Sequence, residues 1–319
     1  MQIPGKNFNS MFKNKGWLLL LPLIVVISAT LPLQSCKSTI FVSKNDKAEK
    51  WKALFNGKDF TGWDMHLNKP PATINIQGLP KDSAGEYLNR LGINNDPLKV
   101  FTVVTQDGAP AIRVSGQVFG YIVSNESFSD FRLKLQFKWG KEKFAPRKNE
   151  KRDAGLLYYS VGTPGEHSGT WMTSQECQIQ EGDCGDFWSV GNTRFDIPAE
   201  EMNTLYRYNP DSSLVNFGNG TTAGPRCIKS PDNEKATGEW NTIEIISFNG
   251  NSVHLINGKV TMRLFNSRHL VNGVEQPLKE GRIQLQSEGA EIFYRKIEVL
   301  PISEMPAVMK DFKHKGTSV

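Results

Sequence analysis

Residues 131–139 read Phe-Arg-Leu-Lys-Leu-Gln-Phe-Lys-Trp, so apolar and polar side chains alternate at every position of this stretch. A period of two places the apolar side chains on one face of a β-strand and the polar side chains on the other. Strands of antiparallel sheets commonly bury one such face and leave the other in water. The stretch therefore predicts a long strand of an antiparallel sheet.

Shorter segments of the same kind, most of them bounded by turn residues, occur on both sides of this strand. They lie at 100–105, 111–114, 120–124, 154–160, 175–180, 242–248, 252–256, 260–265, 282–286 and 292–299. Asn257-Gly258 separates two of them and predicts a hairpin, because a type I′ turn needs positive φ at both central positions. Helical patterns are limited to short turns near 85–91 and 199–203. Many strands and few helices predict an all-β sandwich or jelly roll.

The first 36 residues have the composition of an export signal. Three lysines precede an apolar run from Trp17 to Leu33, and Leu-Gln-Ser-Cys36 closes the run in the manner of a bacterial lipobox. We expect Cys36 to carry a lipid that anchors an exported protein to the bacterial cell envelope, in the periplasm or at the outer-membrane surface. Contact with the membrane would then be through the lipid only. An uncleaved signal anchor is the alternative.

The rest of the chain divides by composition. A polar tether is expected at 37–50, one domain at 51–303 and a C-terminal tail at 304–319, after the signal peptide at 1–36. A β-sandwich of roughly 200–250 residues is routinely one domain. The sequence contains no internal repeat, so one domain is the simplest interpretation.

Charge gives no support for a nucleic-acid partner. Removal of the signal takes away three lysines and no acidic residue, which lowers the formal net charge from +5 to +2. Basic residues cluster at 138–152, but Glu142 and Glu150 lie among them. Such mixed runs are typical of solvated loops, and we interpret this one as an exposed connection.

The cysteines predict neither a disulfide framework nor a zinc site. Cys177, Cys184 and Cys227 remain after the lipobox, an odd number without zinc-ligand spacing. One bridge, with Cys184 and Cys227 as the first choice, fits an oxidising compartment, but the pairing stays open. No cofactor motif occurs, so the cofactor is unknown. A divalent cation such as calcium near Asp183 and Asp186 is compatible with the sequence, although the spacing is not that of an EF-hand.

The densest polar stretch of the chain is 174–183. In an extended conformation Glu176, Gln178 and Gln180 share one face, while the alternating cysteine and isoleucine point into the core. Glu181 joins this polar face only if the strand bulges near the following glycine. A solvated strand face is the alternative interpretation of these side chains.

Carboxylates and amides in one cleft can transfer protons and stabilise a developing oxyanion, a chemistry that suits sugars. We expect Glu176, Glu181 and Gln178 to act in catalysis and no residue to bind a metal. His254 alternates with apolar neighbours and is expected to face away from the core, without a chemical role. The residues expected to bind substrate are Asp153, Tyr159, His167, Trp171, Gln180, Asp183 and Trp188.

An ordered set of phrases resembles the 3-keto-disaccharide hydrolase domains, a family described as 3-keto-glucoside 1,2-lyase/3-keto-2-hydroxyglucal hydratase and common in Bacteroidetes. The set spans most of the chain after the lipobox. The phrases are WKALFNGKDFTGW (51–63), SDFRL (129–133), DAGLLY (153–158), ECQIQEGD (176–183), WN (240–241), HLING (254–258), GRIQLQSEG (281–289) and FYRKI (293–297).

The resemblance implies a concanavalin A-like jelly roll of two antiparallel sheets, similar to that of laminarinase-type glycosidases. Those enzymes carry Glu-x-Asp-x-x-Glu on the catalytic strand, and Glu176-x-Gln178-x-x-Glu181 is similar, with an amide in the middle. The amide argues against a retaining double displacement, in which the middle acid tunes the carboxylate pair. The chain also has Asp153-Ala-Gly where family members often have Asn-Ser-Gly, and Glu288-Gly where they have His-Gly.

The implied activity is cleavage of a 3-keto-glycoside by elimination between C1 and C2, followed by hydration of the 3-keto-2-hydroxyglucal. In this hypothesis one of Glu176 and Glu181 is the base and the other the acid, and Gln178 or Gln180 donates to the enolate oxygen. The alternatives are a carbohydrate-binding lipoprotein without catalysis and a conventional glycoside hydrolase of laminarinase-like fold.

Overall fold

The computed structural model describes residues 50–310, which form two antiparallel β-sheets around a common core. The all-β, concanavalin A-like jelly-roll sandwich expected from the sequence is confirmed. The predicted signal peptide, Cys36 and all but the last residue of the tether lie outside the described residues, as does the end of the tail from 311. Within the described part, no helix is long and apolar enough to cross a membrane.

Twenty strands and one short helix occur in residues 50–310. They are β1 Lys52–Ala53, β2 Trp63–Leu67, β3 Gly92–Ile93, β4 Phe101–Gln106, β5 Ala109–Val114, β6 Gly120–Phe128, β7 Phe131–Lys143, β8 Asp153–Val161, β9 Thr173–Gln180, β10 Phe187–Val190, β11 Thr193–Met202, β12 Leu205–Tyr208, β13 Leu214–Gly218, β14 Arg226–Cys227, β15 Asn241–Phe248, β16 Asn251–Ile256, β17 Lys259–Val271, β18 Val274–Pro277, β19 Gly281–Ser287, β20 Ala290–Pro301 and α1 Ala307–Lys310.

The larger sheet has the order β12-β11-β17-β16-β15-β7-β20-β5-β4, with β1, β13 and β18 paired to β20, β11 and β17. The smaller sheet has the order β14-β10-β9-β8-β19-β6-β2-β3. The stretch that predicted the fold is β7, and its alternate residues from Phe131 to Trp139 are buried as expected. The polar side chains between them lie on the outer face of the larger sheet.

Local turn chemistry is confirmed at one hairpin, and the two predicted helical turns are wrong. Asn257 and Gly258 connect β16 and β17 with φ values of 52° and 78°, as a type I′ turn requires. Ala199–Met202 instead belongs to β11, because it pairs with β12. The residues near 85–91 form turns and an isolated bridge between Lys81 and Tyr87.

His254 is buried, which corrects the expectation that it faces away from the core. Val253 and Leu255 on its two sides pack in a small separate cluster with Met309 of α1. The opposite face of β16 therefore points into the sandwich, where His254 Nε2 lies 3.0 Å from the hydroxyl of Tyr158. Burial lowers the pKa of His254 to about 3, so its ring is neutral at ordinary pH.

The three cysteines within the described residues are buried free thiols. The bridge considered between Cys184 and Cys227 is therefore not formed. Cys227 instead lies opposite Phe187 in the pairing of β10 with β14 and fills part of the main core. Cys177 occupies the same core from β9, as the alternation of the 174–183 stretch predicted.

Candidate functional site

A cavity of about 620 Å³ lies on the face of the smaller sheet that points away from the core. Its floor is made by β8, β9, β10 and β19, and its rim by residues 147, 166–168, 171, 191–192, 219 and 288. Seven residues expected from the sequence line it: Asp153, His167, Trp171, Glu176, Gln178, Gln180 and Trp188. The structure thus brings most of the predicted site together in one hollow.

Strand β9 supplies the centre of the floor. Glu176, Gln178 and Gln180 line the cavity, while Cys177 and Ile179 between them are fully buried in the core. In the register of the sheet, Glu176 lies opposite Trp188 of β10 on one side and Leu157 of β8 on the other. Glu176 is only 5% exposed, so its carboxyl group lies at the bottom of the hollow.

Gly155 on β8 makes room for this arrangement. A Cβ atom at this position would lie 2.1 Å from Glu176 Oε1 and 2.3 Å from Gln286 Oε1, far inside van der Waals contact. Only glycine therefore lets these two side chains, which come from strands on either side of β8, converge above it. Gln286 is 2% exposed, and its Oε1 has no hydrogen-bond partner within residues 50–310.

Besides Glu166 on the rim, three carboxyl groups and one guanidinium line the cavity. Arg147 Nη2 lies 2.5 Å from Asp153 Oδ2, and Arg147 Nη1 lies 3.9 Å from Glu288 Oε1. Gln180 Nε2 also donates to Asp153 Oδ2 at 2.8 Å. The third carboxyl group is that of Glu176. Within the described residues, neither Arg147 nor another cationic side chain forms an ion pair with it. The cluster is therefore only partly neutralised.

Burial raises the pKa of every member of this cluster, and repulsion by other members adds to the effect at Glu176 and Glu288. Burial and then the charges of Glu288 and Asp153 raise the pKa of Glu176 well above its usual range. Burial and the charge of Asp153 raise the pKa of Glu288 to about 8, although the charge of Arg147 acts in the opposite direction. Burial raises the pKa of Asp153 to about 6 against the effect of Arg147. Near neutral pH the cluster therefore holds protons that ordinary carboxyl groups would have released.

Aromatic and polar side chains form the sides of the cavity. Trp171 packs near Tyr121 of β6, with ring centroids 6.5 Å apart. Trp188 lies on the opposite side of Glu176, with the guanidinium of Arg226 5.6 Å from its ring centroid. His167 Nε2 is 2.6 Å from Thr173 Oγ1, which fixes the orientation of the imidazole.

Glu181 lies outside the cavity, which corrects its expected pairing with Glu176. Strand β9 ends at Gln180 without the bulge that the expectation required, and Glu181 begins the following turn. Its carboxylate accepts from Arg152 Nη1 at 3.0 Å and from the hydroxyl of Thr237. Although burial raises the pKa of Glu181, these hydrogen bonds and the charge of Arg152 lower it below the ordinary value. Glu181 is an ionised, ion-paired residue beside the site.

Asp183 and Tyr159 also lie elsewhere. The carboxylate of Asp183 pairs with Lys151 at 2.8 Å and with Arg226 at 3.4 Å, away from the cavity lining. Tyr159 has a φ of +52° at an irregularity of β8, which turns its side chain into the core. Its hydroxyl donates to the carbonyl of Ser129 at 2.9 Å. Neither residue lines the cavity.

The sequence interpretation missed several lining residues, of which Arg147, Gln286 and Glu288 matter most. Arg147 belongs to the basic stretch whose composition is typical of a solvated loop. Gln284 and Gln286 alternate with the buried Ile283 and Leu285, the same pattern that marked the polar face of β9. That repetition was the available signal for a second polar strand.

The suggested calcium position near Asp183 and Asp186 is occupied by cationic side chains. Asp186 Oδ2 accepts from Arg226 Nη2 at 2.6 Å, and Asp186 Oδ1 accepts from the amide of Lys229. In the part of the chain that the structure describes, no group of three or more His, Cys, Asp or Glu side chains is arranged to hold a metal ion.

Two solved structures of candidate glycosyl hydrolases from Parabacteroides distasonis ATCC 8503 are similar to this chain. The first has 18% sequence identity and a TM-score of 0.45, and the match covers 81% of this chain and 96% of that one. The second has 17% sequence identity and a TM-score of 0.43, and the match covers 79% of this chain and 100% of that one. The carbohydrate-binding module CBM66 from Bacillus subtilis has 10% identity, covers 63% of this chain and 91% of its own, and has a TM-score of 0.37. No curated protein matches the chain. Residues 50–300 match the family described as the 3-keto-alpha-glucoside-1,2-lyase-like domain.

Proposed function

Because the chain belongs to the 3-keto-alpha-glucoside-1,2-lyase-like domain family, we propose that its cavity cleaves 3-keto-glycosides by elimination between C1 and C2. The observation that supports this proposal is the cluster of Glu176, Glu288 and Asp153, whose pKa values are all raised within one cavity. Carboxyl groups that differ in proton affinity near neutral pH provide both an acid and a base.

The reaction needs one base and one acid. The ketone at C3 acidifies the hydrogen on C2, and a carboxylate removes that proton. The electron pair forms the C1–C2 double bond while the bond from C1 to the glycosidic oxygen breaks, and the acid gives its proton to that oxygen. Water then adds its oxygen to C1 and a proton returns to C2, which converts the 3-keto-2-hydroxyglucal to the free 3-keto sugar.

Glu288 is the base in this proposal. Its side chain is 19% exposed, whereas that of Asp153 is 5% exposed and already accepts from Arg147 and Gln180. A carboxylate whose pKa is about 8 is a stronger base than an ordinary one. Arg147, 3.9 Å away, stabilises its ionised form.

Glu176 is the acid. Its burial beside two other carboxyl groups keeps it protonated near neutral pH, so it can donate to the departing oxygen. During hydration the roles reverse, because Glu176 then takes a proton from the attacking water and Glu288 returns its proton to C2. Gln178 and Gln286 carry the amide groups that can donate to the oxygen on C3 as negative charge develops there.

The signal peptide and Cys36 predicted from the sequence extend the proposal to the location of the reaction. A lipid on Cys36 would hold the domain at the cell envelope, where its partner is an oxidised glycoside. Neither the composition nor the cavity suggests a nucleic-acid partner.

The test compares a glucoside with its 3-keto form. The purified protein is incubated with each, and products are identified by mass spectrometry. We expect release of the leaving group from the keto form alone, with transient 3-keto-2-hydroxyglucal. Cleavage of the unoxidised glucoside would instead indicate a conventional glycoside hydrolase, and binding of either compound without cleavage would indicate a carbohydrate-binding protein.

The residue assignment has a matched set of variants. Glu176→Gln and Glu288→Gln each remove one proton-transfer group. Glu200→Gln is the control, because it makes the same change on β11, where Glu200 forms an exposed ion pair with Arg207 of β12. We expect loss of cleavage in the first two and full activity in the third. Full activity in Glu288→Gln would rule out its role as the base.

A further inference from the structure

Glu176 and Gln286 meet above β8, which lies between their own strands β9 and β19 in the smaller sheet. Glu176 Oε1 and Gln286 Oε1 both lie within 2.3 Å of the point that a Cβ atom of Gly155 would occupy. The carboxyl oxygen and the amide oxygen are therefore neighbours. An amide oxygen is always an acceptor, and a carboxyl oxygen becomes a donor only when it carries a proton.

The amide oxygen of Gln286 lacks a hydrogen-bond donor among the described residues. The atom is buried, and the whole residue is only 2% exposed, so solvent in the cavity does not reach this oxygen. Burial of an amide oxygen without a hydrogen bond is unfavourable, and such atoms nearly always have a donor. The neighbouring Glu176 Oε1 supplies that donor if it is protonated.

The carboxyl group of Glu176 lacks the partners that an ionised carboxylate needs. In the part of the chain that the structure describes, no N–H or O–H group donates to it, and the charges that act on it are those of two other carboxyl groups. The titratable and charged side chains that share the cavity with it are Arg147, Asp153, Glu166, His167 and Glu288. From the core, Cys177 and Tyr294 interact with it electrostatically. These surroundings favour the neutral acid.

We propose that the protonated carboxyl group of Glu176 donates to Gln286 Oε1, so that Gln286 is the positioning residue that holds the acid proton of the site. The catalytic consequence rests on the proposed function, in which Glu176 is the acid. When a glycoside is bound, rotation of the O–H group turns this proton from Gln286 to the departing oxygen. The proton then moves to that oxygen, which has taken the electron pair of its bond to C1, and Glu176 keeps the electron pair of the broken O–H bond.

The same contact fixes the orientation of the Gln286 amide. With Oε1 accepting from Glu176, Nε2 is the group of this amide that is left to donate to a ligand. An ionised Glu176 would attract Nε2 instead. The protonation of Glu176 and the orientation of the amide are therefore linked.

The first experiment follows the protonation of Glu176 without a substrate. Glutamate side-chain carboxyl carbons are labelled with ¹³C, and the NMR signal of Glu176 is identified by its loss in Glu176→Gln. In the parent protein we expect the chemical shift of a neutral carboxyl group at pH 7. Gln286→Met keeps the side-chain length and removes the acceptor. Because a hydrogen bond donated by the neutral acid favours that form, the titration midpoint in this variant should lie about one pH unit lower.

Gln284→Met is the matched control on the same strand. The amide of Gln284 donates to the hydroxyls of Ser160 and Ser174 at 2.6 and 2.8 Å, so its loss should leave the midpoint of Glu176 in place. An unmoved or raised midpoint in Gln286→Met would overturn the proposal. If Gln286→Met does not fold, the parent spectrum decides, because a Glu176 that is ionised at pH 7 also overturns the proposal and a neutral one supports it.

The second experiment tests the role of this contact in catalysis. Glu176 must be protonated to act as the acid, so the rate of 3-keto-glucoside cleavage should fall at high pH as Glu176 ionises. In Gln286→Met this falling limb should lie about one pH unit lower, which makes the rate above the limb about tenfold lower relative to the plateau. A moved NMR midpoint with an unmoved limb would overturn the catalytic role. A moved midpoint without any cleavage by the parent protein would count against the proposed function and leave the contact between Glu176 and Gln286 intact.

Discussion

Replacement of Asp153 by asparagine should move the pH dependence of cleavage towards lower pH. The proposed base, Glu288, must be ionised to act, and its pKa is about 8 instead of the usual 4.5 because of burial and the charge of Asp153. Asp153→Asn removes that charge and frees Arg147 to pair with Glu288. Both changes favour the ionised form of Glu288, so its pKa falls.

The size of this fall follows from the geometry around Arg147. Both carboxylates lie against Arg147, at 2.5 and 3.9 Å. As an order of magnitude, two unit charges roughly 6 Å apart repel by about 3 kcal/mol at an effective dielectric constant of roughly 20. One pKa unit corresponds to about 1.4 kcal/mol, so complete removal of the repulsion lowers the pKa of Glu288 by about two. Because Asp153 itself has a pKa of about 6 and Arg147 screens it, we expect the pKa of Glu288 to fall by roughly one to two.

The assay is the initial rate of 3-keto-glucoside cleavage between pH 5 and pH 9. In the parent protein the rate should rise with pH through about 8, and in Asp153→Asn the rising limb should lie roughly one to two pH units lower. The rate of the variant at pH 6 is best expressed as a fraction of its own plateau rate. That fraction should rise about tenfold for each pH unit by which the rising limb moves. Asp196→Asn, which removes an ion pair with Arg268 in the larger sheet, is the control and should leave the limb in place. An unmoved or raised limb in Asp153→Asn would refute the coupling of the two carboxyl groups.

Three other predictions concern single residues. Glu288→Gln should lower kcat/KM by about 10²–10⁴-fold, as loss of a general base does. Glu181→Gln should keep kcat/KM within about twofold of the parent value, because Glu181 lies outside the cavity. Equal losses of kcat/KM in the two variants, measured in steady-state assays, would contradict this. Gly155→Ala should lower kcat/KM at least tenfold, since the added methyl group displaces the carboxyl group of Glu176, and an unchanged rate would show that the convergence above β8 is dispensable. Tyr159→Phe should lower the free energy of unfolding in urea by about 1–3 kcal/mol, because the hydroxyl makes two hydrogen bonds, to the carbonyl of Ser129 and to the hydroxyl of Ser247. It should not change kcat/KM, and a change in kcat/KM would contradict its place in the core.

Features that depend on neighbouring residues along the chain could be predicted from the sequence. The alternation of 131–139 predicted β7, and Asn257-Gly258 predicted its hairpin, because side-chain period and turn chemistry are local properties. The common face of Glu176, Gln178 and Gln180 followed from the same period. These local rules fixed the strands and most of the floor of the cavity.

Three expectations about side-chain placement failed where a local pattern has more than one outcome. Alternation identifies two faces of a strand but not which face meets the main core, and the expectation for His254 chose the wrong one. A single irregularity reverses the alternation, and Tyr159 lies at one in β8. The end of a strand removes the next residue from its face, which is why Glu181 does not join Glu176.

The missed residues are those that reach the cavity through tertiary packing. Arg147 comes from a loop whose composition is typical of solvated connections, and Glu288 follows β19, more than a hundred residues after Glu176. Neither position carries a local signal of a shared site. In the family resemblance Glu288 is only a departure from the usual His-Gly, and the structure shows that this departure falls beside Arg147.

The position of Trp188 near the edge of the smaller sheet has a practical consequence. The carboxyl groups stand on interior strands or next to them, whereas the indole stands on β10, with only the short β14 beyond it. Redesign of β10 and the turn that follows it would therefore change one side of the cavity and leave the residues of β8, β9 and β19 unchanged. A library of variants confined to residues 188–192 and 219 is the natural starting point for changing which glycosides the cavity accepts.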